Sequence, residues 1–133
     1  MPRVLLVEDE EHLAAGIRFN LELDGYDVET IGDGLRAVER LAPPPEGPVW
    51  DAASTIDLVV LDVMLPGMDG YDVCKMIKKN KDNSLMKVVM LTSKDKTFDK
   101  IRGTMAGCDG YLTKPVDELK LRAIIERHTV TRK

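Results

Sequence analysis

The chain has few of the residues that a disulfide scaffold or a zinc site needs, and it has no long apolar run. Its two cysteines, Cys74 and Cys108, lie far apart and neither belongs to a C-x-x-C pair, so neither kind of site is predicted. No apolar run approaches the ~20 residues that span a bilayer. The N-terminus MPRVLLVEDE turns acidic after a short apolar stretch, whereas a signal peptide needs roughly 7–15 apolar residues. We therefore expect a cytoplasmic protein with reduced thiols.

Basic residues are scarce in the first half of the chain, which holds most of the acids. Residues 1–66 carry 4 basic and 14 acidic side chains, a net charge of −10, whereas residues 67–133 carry 15 basic and 9 acidic side chains, a net charge of +6. The total of −4 does not predict a nucleic-acid-binding face. The separation of charge indicates either a cation site with a separate basic face or an ordinary solvated surface.

The length and the pattern of apolar residues predict one α/β domain over residues 1–133. A chain of this length fits a single hydrophobic core. Short apolar runs alternate five times with segments of helical periodicity, which predicts a mainly parallel sheet with helices on both faces. In the first helix, Leu13, Ile17 and Leu21 recur every four residues, and Gly25 ends the helix. In the second predicted helix, Leu35, Val38 and Leu41 are expected to lie on one side. The predicted strands are Val4–Val7, 26–31, 56–63, 87–93 and 110–115, and the fourth predicted helix covers 96–107.

Polar side chains lie at or directly after the carboxyl ends of four of these predicted strands, where an open parallel sheet binds its ligands. They are Glu8 and Asp9, then Asp62, then Thr92 and Ser93, and finally Lys114, which precedes Pro115. Three carboxylates at one place repel one another unless a cation lies between them, and oxygen ligands suit Mg²⁺. A site with Mg²⁺, a hydroxyl and a lysine suits phosphoryl transfer. Asp62 would be the nucleophile, Lys114 and Mg²⁺ would neutralise the phosphoryl oxygens, and Thr92 would donate a hydrogen bond.

Four segments together resemble the receiver domain of two-component response regulators: VLLVEDE, LVVLDVMLPGMDGYDV, VVMLTS and GCDGYLTKP. The resemblance covers nearly the whole chain, and the motifs are specific because they occur in combination and in order. It implies a flavodoxin-like (βα)5 fold of the chemotaxis type, with a parallel five-stranded sheet of order 2-1-3-4-5. Pro43–Thr55 then reads as a proline-rich insertion between the second helix and the third strand. The segment that begins at Lys94 is similar to receivers of type IV pilus and twitching systems.

The resemblance also assigns a metal site. Asp62 would accept the phosphoryl group and would ligate the metal, which would be Mg²⁺ (or Mn²⁺). Asp9 would bind the metal directly, whereas Glu8 would bind it mostly through water. The backbone carbonyl of Met64 would be a further protein ligand. These roles are expectations that follow from the family pattern, and the acidic residues themselves indicate only a site for a hard cation.

A second group of residues would form the switch of such a domain. By resemblance, Thr92 would be the switch hydroxyl and Lys114 the lysine that contacts the phosphate. Tyr111 would be the aromatic residue that turns inward when Thr92 moves toward the phosphate. The peptide bond before Pro115 would be cis, which is a conformation found essentially only at X-Pro bonds.

Such a domain is a phosphoacceptor signalling module and not a turnover enzyme. The resemblance implies a sensor histidine kinase or phosphotransfer protein as the phosphoryl donor. A downstream protein target would bind the face formed by the fourth predicted helix, the fifth strand and the fifth predicted helix. Many receivers pair through this face, so homodimerisation is a further expectation. Neither direct nucleic-acid binding nor membrane insertion is predicted. The cations that could dock an acidic partner there are Lys94, Lys96, Lys100, Lys120 and Arg122.

Three other functions use a similar fold or site. A phosphorylation-independent receiver-like adaptor is compatible with the same residues. A phosphotransferase of the haloacid-dehalogenase kind also uses an aspartate at a strand end, but it needs a second acid two residues later, where this chain has Met64. A nucleotide or flavin binder needs a phosphate-binding loop after the first strand, where this chain has the acidic sequence EDEEH.

Overall fold

Five parallel strands form one sheet in the order β2-β1-β3-β4-β5, and this confirms the predicted fold class. The computed structural model describes residues 2–41, 56–65, 68–79, 86–92 and 107–129. The strands are β1 (Arg3–Val7), β2 (Asp27–Ile31), β3 (Leu58–Asp62), β4 (Lys87–Thr92) and β5 (Gly110–Thr113). The helices are α1 (Glu11–Leu23), α2 (Gly34–Leu41), α3 (Gly70–Lys79) and α4 (Glu118–Thr129), and α4 is the fifth predicted helix. The predicted insertion at Pro43–Thr55 and nearly all of the fourth predicted helix lie outside the described residues.

Apolar side chains cover both faces of the sheet. Val4 and Leu6 of β1 point to the face that α1 and α4 cover. Leu5 and Val7 point to the opposite face, which α2 and α3 cover. The helix residues buried on the first face include Ile17, Leu21, Leu121 and Ile125. Because both faces are covered, residues Val4–Val7 of β1 are all apolar instead of alternating. No helix within the described ranges has the length and apolar character of a membrane span.

The ends of α1 follow from two local residues. The Glu10 side chain accepts hydrogen bonds from the backbone N–H groups of His12 at 3.1 Å and Leu13 at 2.7 Å, which satisfies donors that have no partner inside the helix. At the other end, Gly25 has a φ of 94°, a left-handed conformation that glycine adopts without steric cost. The predicted end of the first helix at Gly25 is therefore confirmed.

The predicted apolar face of α2 is wrong at one residue. Leu35, Val38 and Leu41 were expected to share one side of the helix, but Leu35 is 52% exposed whereas Leu41 is buried. Successive helical residues are about 100° apart, so two steps of three residues place Leu35 about 120° from Leu41 around the axis. Ala37 is fully buried instead, and it contributes to the face that packs against the core.

Candidate functional site

Parallel pairing places the carboxyl ends of four strands side by side. Glu8 directly follows β1, and its backbone N–H donates to the carbonyl of Ile31 at 3.0 Å. Lys114 directly follows β5, and its backbone N–H donates to the carbonyl of Thr92 at 2.8 Å. The in-register partners along this edge are Val7 with Leu61, Asp62 with Leu91, and Thr92 with Thr113. Residues that are far apart in sequence therefore meet at one edge of the sheet.

Glu8, Asp9 and Asp62 form an acidic cluster at this edge. One carboxylate oxygen from each residue lies within 4.8 Å of the others. Glu8 and Asp62 are buried, whereas Asp9 is exposed to solvent. Glu8 Oε1 is buried and accepts no hydrogen bond from the described residues. A buried carboxylate oxygen without a donor is costly unless a cation compensates it. The cluster therefore fits a hard divalent cation, with one solvent-facing ligand to leave room for water.

Lys114 lies beside the two buried acids. Its Nζ donates a hydrogen bond to Asp62 Oδ2 at 2.8 Å and lies 3.2 Å from Glu8 Oε1, where it makes a charge contact without hydrogen-bond geometry. Burial raises the pKa of Glu8 to about 7, and the neighbouring Asp62 adds to this effect, whereas the Glu10 N–H and Lys114 oppose it. Burial alone would lower the pKa of Lys114, but its pairing with Asp62 and Glu8 raises it. The lysine thus stays charged between the two acids.

The turn from β3 to α3 holds Asp62 from the other side. Asp62 Oδ1 accepts a hydrogen bond from the backbone N–H of Met64 at 3.0 Å. The backbone N–H of Gly70 donates to the carbonyl of Val63 at 2.9 Å. A Cβ atom at Gly70 would overlap the carbonyl oxygen of Asp62, so only glycine allows this approach. The Met64 side chain is exposed to solvent.

The remaining predicted site residues lie on β4 and β5. Thr92 is the last residue of β4 and is 3% exposed. The peptide bond between Lys114 and Pro115 is cis. Tyr111 is half-buried and packs against the core on the face that α2 and α3 cover. Ser93, the other hydroxyl that follows this strand in the sequence, lies outside the described residues.

Sequence reasoning missed two features of the site. It did not predict that Lys114 contacts Glu8 as well as Asp62, because a charge at a strand end gives no information on its partners. It also missed the close approach of Gly70 to the backbone of Asp62. The signal for Gly70 was a glycine directly after Asp69, which caps α3 by accepting the Asp72 N–H at 3.0 Å. Glycine at a helix start has several explanations, so the sequence alone did not single it out.

Comparison with known proteins agrees with this geometry. The family profile described as the response regulator receiver domain matches residues 4–126. The alkaline phosphatase synthesis transcriptional regulatory protein PhoP of Bacillus subtilis is 39% identical over 132 residues, which cover 96% of this chain and 50% of that protein. The sensory transduction protein RegX3 of Mycolicibacterium smegmatis is 38% identical over 131 residues, which cover 96% of this chain and 52% of that protein. The chain thus spans about half the length of these curated relatives.

A solved structure extends the comparison to the site. It is the receiver domain of a sensor histidine kinase from Pseudomonas aeruginosa, with a magnesium ion coordinated in the active site cleft. It is 27% identical, with a TM-score of 0.80 and coverage of 96% of each chain. Because the family profile covers nearly the whole chain and the fold and acidic site agree with it, this chain belongs to the response regulator receiver domain family.

Proposed function

We propose that Asp62 accepts a phosphoryl group from the phosphohistidine of a sensor histidine kinase or a phosphotransfer protein. The observation that carries this proposal is the position of its carboxylate, which is 3% exposed and lies 2.8 Å from the Lys114 ammonium within an acidic cluster. An unpaired buried carboxylate is costly, so a fold that retains three acids beside one lysine suits a function that adds a cation and a phosphoryl group.

The three acids would hold the metal. Asp9 and Asp62 would bind it directly through carboxylate oxygens, Glu8 would bind it mostly through water, and the carbonyl of Met64 would be the further ligand implied by the family. Mg²⁺ (or Mn²⁺) bound there would neutralise charge on the phosphoryl oxygens. In the transfer, a carboxylate oxygen of Asp62 would form a bond to phosphorus. The bond from phosphorus to the imidazole nitrogen of the donor would break, and its electron pair would return to that nitrogen.

The residues around Asp62 would then respond to the new charge. The Lys114 ammonium lies close enough to contact a phosphoryl oxygen instead of the free carboxylate. The buried hydroxyl of Thr92 would donate a hydrogen bond to another oxygen, and Tyr111 would turn inward behind it. This change would alter the surface formed by the fourth predicted helix, β5 and α4, and so shift the equilibrium between two conformations.

Receiver domains are signalling domains and not classical enzymes. We further propose that this one promotes only its own phosphorylation and dephosphorylation, and that it passes the signal to a protein target, with or without pairing with a second copy. On the proposed surface, Lys120 is exposed, whereas Arg122 already pairs at 3.0 Å with Asp24, the residue that follows the last turn of α1. Of these two described residues, Lys120 is therefore the better candidate to dock an acidic partner.

Phosphoryl incorporation from acetyl phosphate, read by intact mass, tests the proposal. We expect an adduct in the wild type that depends on Mg²⁺ and is absent in Asp62→Asn. Asp72→Asn is a matched control, because Asp72 is an exposed acid in the first turn of α3, and this variant should be modified normally. If the wild type binds Mg²⁺ and forms no adduct, the phosphoacceptor role is wrong and the adaptor function is favoured.

A further inference from the structure

The turn between β2 and α2 packs against both halves of the acidic site. The carbonyl of Ile31, the last residue of β2, accepts the backbone N–H of Glu8 at 3.0 Å. A Cβ atom at Gly32 would lie 3.7 Å from the Cα atom of Asp9, which is ordinary contact. This side of the turn therefore touches the backbone of the two acids that follow β1. None of the turn residues belongs to the acidic cluster itself.

Gly34 packs against the other half of the site. It is buried and is the first residue of α2. A Cβ atom there would overlap the carbonyl oxygen of Met68 and would lie 3.1 Å from both the carbonyl carbon of Met68 and Val73 Cγ2. Its φ does not lie in the left-handed region. Among the described glycines, Gly25 and Gly107 have that conformation. Backbone conformation thus does not require glycine at this position, and alanine is the better helix former. The close approach of the Met68 carbonyl is what requires it.

The Met68 carbonyl belongs to the turn that carries the phosphoacceptor residue. Two residues later, Gly70 donates its N–H to the carbonyl of Val63 at 2.9 Å and lies directly against the carbonyl of Asp62. Both contacts are between backbone atoms, so no side-chain rotation can absorb a displacement. A shift of Met68 away from α2 would therefore move the turn that fixes Asp62.

We propose that Gly34 is a positioning residue that sets the distance between Asp62 and the acidic pair Glu8 and Asp9. It acts through the Met68 carbonyl and is not a member of the acidic cluster. Because the turn before it contacts the acidic pair, it joins the two halves of the site at a fixed spacing. The inference rests on the proposed divalent-cation site, because the spacing matters only if one ion must contact carboxylates from both halves.

Mg²⁺ titration of Gly34→Ala by isothermal calorimetry tests this role, with unfolding in EDTA measured in parallel. We expect about a 10-fold weaker Mg²⁺ affinity, as is typical when a residue that supports metal ligands is changed. The matched control is Gly16→Ala in α1, because a Cβ atom there would meet no atom of the described residues within 4 Å, apart from its own helix and chain neighbours. The control should bind Mg²⁺ like the wild type. A residue needed only for packing would lower the unfolding temperature and leave the affinity of the folded protein unchanged.

The outcomes separate the inference from the proposed function. If the wild type does not bind Mg²⁺, the metal site itself is wrong. If the wild type binds and Gly34→Ala binds equally or more tightly, Gly34 has no positioning role.

If Gly34→Ala does not fold, amide hydrogen exchange of the wild type tests the same proposal. If the packing of α2 affects Mg²⁺ binding, then Mg²⁺ binding must affect the packing of α2, because such coupling is reciprocal. Mg²⁺ should then slow exchange of the Arg36 and Ala37 amides, which bond to Asp33, more than exchange of the Asp27 amide at the opposite edge. Equal effects at both places would overturn the proposal.

Discussion

At the residue scale, Lys114 compensates the charge of two buried carboxylates. Its ammonium lies 2.8 Å from Asp62 and 3.2 Å from Glu8, and its side chain is 29% exposed. No other cationic side chain among the described residues forms an ion pair with either acid. The same lysine therefore stabilises the two buried acids and lies where it could contact a phosphoryl group.

Lys114→Met should lower the free energy of unfolding in EDTA. We expect less than the roughly 3–5 kcal/mol seen when a fully buried pair is broken, because Lys114 is partly exposed. Mg²⁺ should still bind, because the three acids remain. Chemical denaturation with and without Mg²⁺ measures both effects, and Lys120→Met is the control on an exposed lysine. An unchanged stability in EDTA would mean that Lys114 does not stabilise the acids.

At the element scale, a second ion pair ties α3 to the strands at the edge opposite the site. Lys78 Nζ in the last turn of α3 donates to the Met86 carbonyl and to Asp109 Oδ2, both at 2.7 Å. Asp109 Oδ2 also accepts the backbone N–H of Val88 at 2.8 Å. Met86 precedes β4 and Asp109 precedes β5, so one lysine bonds to the residues at the amino-terminal ends of two strands.

Lys78→Met should destabilise the fold and leave phosphorylation intact. We expect a loss of about 1–3 kcal/mol, because the Asp109 carboxylate is only 21% exposed and would lose its charged donor. The neighbouring Lys79, which is exposed, provides the control Lys79→Met. Urea denaturation measures the stability, and acetyl phosphate labelling measures the site. A loss of labelling in a folded Lys78→Met protein would mean that the Lys78 ion pair affects the acidic site at the other edge of the sheet.

At the scale of the whole molecule, the acidic cluster proposed to bind the metal forms only in the folded chain. Its acids come from the ends of β1 and β3, which are more than 50 residues apart in the sequence. Anything that binds the folded state alone stabilises it by mass action, by about 2.7 kcal/mol at a concentration 100 times the dissociation constant. Mg²⁺ should therefore raise the unfolding temperature, whereas Na⁺ at equal ionic strength should not. An identical shift with both salts would indicate general screening instead of a site.

Much of the fold was predictable because local pattern determines it. The apolar runs of β1, β3 and β4 are buried on both faces, and a run of this kind predicts a strand without knowledge of its neighbours. The alternation with helices then predicted the parallel sheet. Leu35 was mispredicted because residues three apart lie on nearly the same face of a helix, whereas residues six apart are separated by about 120° around its axis.

The sequence by itself determined which residues could meet at the site. Glu8, Asp62, Thr92 and Lys114 each end or follow a strand, and a parallel sheet brings such ends to one edge. Only the tertiary structure decided how closely they meet. The contact of Lys114 with both buried acids and the approach of Gly34 to the Met68 carbonyl join parts of the chain that are distant in sequence. Distances of this kind depend on how the helices and turns pack, and no local pattern of residues encodes them.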